Sequence, residues 1–73
     1  MKTIKFMVAS DPEYYGPEAG PQDVQEYAVF AQEFLLRNGY ENVEIEFVER
    51  YPVGRADTQG DLRGEIWSAF RGT

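Results

Sequence analysis

The sequence predicts a small α+β domain, and three features carry that prediction. Polar and apolar residues alternate over Thr3–Ala9, a helix-period apolar stripe runs from Val24 to Leu35, and alternation returns over Val43–Val48. Seventy-three residues allow one domain, 1–73, because a second core could not be built from what remains. The expected order is β-α-β-β, with one helix packed on a two- to three-stranded sheet.

The first strand places Ile4, Phe6 and Val8 on one face and Thr3, Lys5 and Met7 on the other. Between Ser10 and Pro21 lie three of the four prolines and two glycines, a composition that argues against regular structure there. The helix follows. Asp23 and Glu26 have the form of a capping box. Val24, Tyr27, Ala28, Ala31, Phe34 and Leu35 make its apolar stripe, which Phe30 and Leu36 widen toward a further neighbour. Asn38-Gly39-Tyr40 reads as a Schellman stop, with Gly39 in the left-handed conformation. After a turn at Glu41-Asn42, the second strand turns Val43, Ile45 and Phe47 one way and Glu44 and Glu46 the other.

Tyr51 to Gly60 reads as a second long connection. Residues 62–71 support two readings. Leu62, Ile66 and Phe70 fit a second helix capped by Asp61, whereas Gly64 weakens a helix and Ile66, Trp67 and Phe70 suit a strand. The strand is preferred, since a two-stranded sheet is marginal alone and a third strand would give the helix a surface to cover.

Composition removes most catalysis. No cysteine means no disulfide, thiolate nucleophile or zinc–thiolate site, and no histidine removes the usual general base and the commonest metal ligand. Glu44 and Glu46 stand about 6.6 Å apart along a strand, but an exposed strand face lacks the desolvating cleft that carboxylate catalysis needs. Asp57, Asp61 and Glu65 do not match a calcium loop, and no glycine arrangement matches a phosphate loop. Ser10 and Ser68 have no basic partner in view. The chain reads as a non-enzyme with no cofactor and no metal. The apolar run Phe6–Ala9 is too short for a signal peptide and no segment approaches a membrane span, which reads as a cytoplasmic chain without membrane contact.

Charge is unevenly placed. The net −6 is the sum of +2 over residues 1–10, −9 over 11–49 (ten acids, one base) and +1 over 50–73 (four arginines, three acids). Such a centre repels nucleic acid and suits a basic protein surface. Glu13, Tyr14, Tyr15 and Glu18 combine carboxylates with two adjacent tyrosines on a proline-stiffened loop. Tyrosine is a favoured interface anchor, although Tyr14 and Tyr15 equally suit a lid over a small core. Glu41, Glu44 and Glu46 complete the candidate partner-binding set.

A tiny, cysteine-free, acidic α/β domain with tyrosines among its carboxylates resembles the small inhibitor proteins that bacteriophages encode. These include anti-CRISPR proteins and other nucleic-acid mimics, and the likeness lies in size, charge and layout rather than in a motif. It implies a stoichiometric protein partner with a basic nucleic-acid-binding surface, no direct nucleic-acid contact and no catalysis. The mixed-charge C-terminal third departs from a uniformly acidic mimic. The alternative expectation is a structural or assembly subunit, an antitoxin-like partner or a homodimer, using a strand edge.

Overall fold

Both alternating segments are strands in the computed structural model, which describes residues 1–72: β1 is Thr3–Ala9 and β2 is Asn42–Val48. They run parallel in the register Thr3↔Asn42 through Ala9↔Val48, the direction that a helical crossover between them imposes. That crossover is α1, Pro21–Arg37. It covers the face carrying Phe6 and Val8, which are fully buried, and Ile4, Val43 and Ile45, which are half-buried. Phe47 points the same way at the end of β2 yet remains 47% exposed.

The helix start differs from its sequence reading. Gly20 is the N-cap and Pro21 the first helical residue, so the helix begins before Asp23. Asp23 sits at N3, and its carboxylate accepts the Gly20 N–H at 2.8 Å. Glu26 accepts from the Gln22 side chain at 3.4 Å and takes no part in the cap. The C-terminus matches expectation: Gly39 has φ 99°, the Tyr40 N–H donates to Leu35 C=O and the Gly39 N–H to Leu36 C=O. That pattern is a Schellman motif. Phe30 reaches a second neighbour, Phe70, but Leu36 does not and stands 46% exposed.

Two corrections concern the segments between and after these elements. The Ser10–Pro21 loop contains a 3-10 turn, Pro12–Tyr15, because Asp11 caps it by accepting the Glu13 N–H and Pro12 presets its first residue. A second such turn spans Gly54–Ala56. The C-terminal segment is a helix, α2, Gly60–Arg71, rather than the preferred third strand. Helical spacing puts Leu62, Ile66 and Phe70 on one stripe, and Ile66 is fully buried in the core with Tyr27, Leu35 and Phe6. Burial against α1 outweighs the weak strand preference of these side chains.

Among the described residues the sheet therefore has two strands, and the edge a third would have paired is closed by side chains. The Gln59 amide accepts the Met7 N–H at 3.0 Å and donates to Lys5 C=O at 2.8 Å. The Ala9 N–H donates to the Tyr51 hydroxyl at 2.8 Å, and the Tyr15 hydroxyl donates to Ala9 C=O at 2.7 Å. These contacts route the 49–59 connection past the carboxyl end of β1 and back along its outer edge. Among the described residues no helix is long and apolar enough to cross a membrane.

Candidate functional site

The groups that close the β1 edge also build a cleft. It forms where the Pro12–Tyr15 turn, the 49–59 connection and the first turns of α2 meet at the carboxyl end of β1. The cavity has a volume of about 270 Å³ and is walled by Tyr14, Tyr15, Tyr27, Tyr51 and Trp67, with Arg63 and the bare backbone of Gly60 and Gly64 completing it. Tyr15, Tyr27 and Trp67 pack as a mutually tilted triad at centroid distances of 5.4 to 5.6 Å, and Tyr14 meets Tyr51 edge-on at 5.6 Å. Offset and edge contacts of this kind favour aromatic rings over a face-to-face sandwich.

Arg63 is the cleft's one cation. Its guanidinium lies 3.8 Å from the centroid of the Tyr51 ring, and its Nη2 is hydrogen-bonded to the Asp57 carboxylate. Asp57 also accepts the Gln59 N–H at 3.2 Å. The Arg63 hydrogen bond, aided by that backbone N–H, holds the Asp57 carboxyl below the usual carboxylate range. Asp57, weighed in the sequence as a calcium ligand, is thus committed to Arg63 and the start of α2.

Two buried polar atoms on residues that line the cleft have no partner among the described residues. Tyr27 is 1% exposed, yet its hydroxyl makes no hydrogen bond, and neither does the buried Nη1 of Arg63. Among the described residues these are the only buried side-chain polar atoms left unsatisfied. Each such group costs about 1–3 kcal/mol against being paired. The Tyr15 and Tyr27 phenols are pushed well above the ordinary tyrosine value, chiefly by burial and then by the neighbouring Tyr51. Arg63 opposes this at Tyr27 but does not overcome it. Both rings stay neutral across the physiological range.

The residues predicted as a partner-binding set fall in separate places. Tyr14 stands 48% exposed on the rim of the cleft, while Tyr15 turns inward as a lid over the core. Glu13, beside Tyr14, lines a shallow hollow with Asp11, Glu49 and Arg50 at the carboxyl ends of both strands. Glu18 lies exposed in a hollow shared with Asp23 and Arg71. Glu41 sits at the opposite end of the sheet, where its N–H donates to Lys2 C=O, about 26 Å along β2 from Glu49 at a strand's rise. Glu44 and Glu46 project from the sheet face that α1 does not cover, with Glu44 3.9 Å from Lys5 across the ladder. An exposed pair of that kind contributes little. The central acids therefore do not form one surface.

Sequence reasoning left Arg63, Gln59, Asp57 and Gly64 out of any site. Their signal is tertiary: residues from four segments converge, and no local spacing announces them. Compared with known proteins, the chain matches no family model, no curated protein and no solved structure.

Proposed function

We propose that this chain is a non-catalytic binding protein that docks on a basic protein surface and inhibits a nucleic-acid-handling complex, its carboxylates standing where phosphates otherwise bind. The observation that carries the reading is the acidic hollow at the carboxyl ends of β1 and β2. There Asp11, Glu13 and Glu49 line a hollow together with the half-exposed Tyr14, with Arg50 the one opposing base in that lining. None of the three carboxylates has an ion-pair partner among the described residues. An aromatic anchor beside carboxylates that have no ion-pair partner suits a basic partner, giving steered association and a contact that salt weakens.

The test is capture from a host lysate on the immobilised chain at low and high salt, with mass spectrometry of what is retained. A complex that binds nucleic acid should be held at low salt and released as the Debye length falls below about 8 Å. Joint reversal of Asp11, Glu13 and Glu49 to lysine should abolish retention, and reversal of Glu44 and Glu46 measures the share of the second acidic face. Retention indifferent to salt and to both reversals sinks the proposal.

A second reading, assembly through a strand edge, is favoured by β2. The ladder to β1 uses the main-chain groups of its even-numbered residues, as the Ser10 N–H to Val48 C=O bond marks. Those of Val43, Ile45 and Phe47 are left facing outward from the sheet. Antiparallel pairing of two copies about Ile45 would set Glu44 against Glu46, and like charges directly opposite are unfavourable. The edge thus suits a basic strand of another protein better than a twin. Light scattering decides between these: a dimer that persists at low salt would favour the twin.

A further inference from the structure

The aromatic cleft has the features of a ligand site that the acidic hollow does not need. Its walls are flat and apolar, and its volume of about 270 Å³ is of the scale of a single ring with a substituent. Two residues of its lining, Arg63 and Tyr27, carry buried donors, the Nη1–H and the hydroxyl, that have no acceptor among the described residues. Tyr27 is fully packed, between Tyr15, Trp67 and Phe70, so its ring cannot swing out to find water. Gly64 leaves room: a Cβ there would meet nothing within 4 Å although the residue sits inside α2, where glycine is otherwise a poor choice.

The geometry points to a site for a neutral planar ring bearing a carbonyl oxygen, an aryl amide or lactam. The ring supplies the faces that the tyrosines and Trp67 stack on, and the oxygen is the acceptor that the two buried donors lack. Neutrality follows from the charges. Asp57 already balances Arg63, and Asp11, Glu13 and Glu49 stand just beyond Tyr14, so an anionic ligand meets net repulsion. The same chemistry comes from free aryl amides and from the base of a nucleoside. A nucleotide's phosphate would meet the same acidic rim.

Nuclear magnetic resonance titration of the intact chain tests this, following the indole N–H of Trp67, the only tryptophan, and the amides of Gly60 and Gly64. Benzamide should shift these signals saturably with a millimolar Kd, benzoate and toluene at least tenfold more weakly. Uridine and uridine monophosphate separate the two sources: a nucleoside site takes uridine more tightly than benzamide, and more tightly than its monophosphate. Tyr27→Phe removes only the unpaired oxygen, and should weaken benzamide severalfold while leaving toluene unchanged. Gly64→Leu fills the cavity and should abolish every shift in a chain that melts at or above the parent temperature. Toluene or benzoate binding as tightly as benzamide overturns the assignment, as does saturable benzamide binding that survives Gly64→Leu, or no shift with any probe.

Discussion

Gln59 is where the missing third strand is replaced, and its substitution gives a sharp test of that account. The side chain lies at the N-cap of α2 and makes one donated and one accepted bond to the β1 main chain, at 2.8 and 3.0 Å. Each such bond contributes about 0.5–1.5 kcal/mol net. The edge is partly open to water, which can replace some of the loss, so Gln59→Ala should cost about 1–2 kcal/mol. In a domain of this size that lowers the Tm by about 4–8 °C per kcal/mol, hence roughly 5–15 °C. Gln59→Glu is the more telling change. It keeps the size and the acceptor for Met7 N–H, but turns a carboxylate oxygen toward Lys5 C=O, where the amide had donated. At neutral pH it should be less stable than the alanine variant.

Acid reverses that order. The introduced carboxyl is favoured in its protonated form, which can donate to Lys5 C=O, so its folded pKa is raised above the unfolded value. Its stabilising share is present below about pH 4 and lost as pH rises through the folded value. Thermal melts followed by circular dichroism at pH 4 and pH 7 read the effect, and hydrogen exchange at the Met7 amide reports the edge directly. A glutamate variant as stable as the parent at pH 7, or an alanine variant within about 0.3 kcal/mol of it, would show that Gln59 does not hold the edge.

Ile66→Ala, at a fully buried position joining α2 to the core, should cost about 2–5 kcal/mol, enough to leave a chain of this size largely unfolded in a urea titration. Gly39→Ala forces a Cβ into the left-handed region at φ 99°, and should cost about 1–2 kcal/mol by the same titration. Because burial raises the Tyr15 and Tyr27 pKa values, the folded chain keeps phenolic protons that the unfolded chain releases, so stability is full below about pH 10 and falls as pH rises beyond it. Phenolate absorbance should then appear together with loss of the helical signal. On the acid side, Asp57 is depressed by Arg63, so its share is present above about pH 4 and lost as pH falls through the folded value; Asp57→Asn should flatten that limb of the stability–pH curve.

Local patterns carried most of the fold because each states its own physics. Alternation in Thr3–Ala9 and Val43–Val48, and the Asn38-Gly39-Tyr40 stop, need only neighbouring residues to be read. The C-terminal segment needed more. Gly64 weighs against a helix, and Ile66, Trp67 and Phe70 favour a strand one residue at a time. What decides for the helix is that Ile66 and Phe70 meet Tyr27 and Phe30 on α1, a contact across some forty residues of sequence. Two strands alone are marginal, and the outer edge of β1 is met by side chains rather than by a third strand. Two tyrosine hydroxyls and one amide supply the same donors and acceptors. The site divides likewise. Tyr14 and Tyr15 stand out as a pair, but Tyr27, Tyr51 and Arg63 join them only once the chain has folded.

The acidic centre shows why a charge count is not a footprint. Its ten carboxylates fall within residues 11–49, but a βαβ crossover sends them in different directions. Asp11, Glu13 and Glu49 gather where both strands end, Glu44 and Glu46 face away from α1, and Glu26 and Glu33 ride on the exposed side of α1 itself. A partner touching one of these groups still feels the others at long range, with a strength set by ionic screening rather than by contact. For the proposed basic partner, net charge therefore sets the rate of arrival. How long it stays depends on the few carboxylates beside an anchor, and the end of the sheet is where carboxylates and an exposed tyrosine coincide.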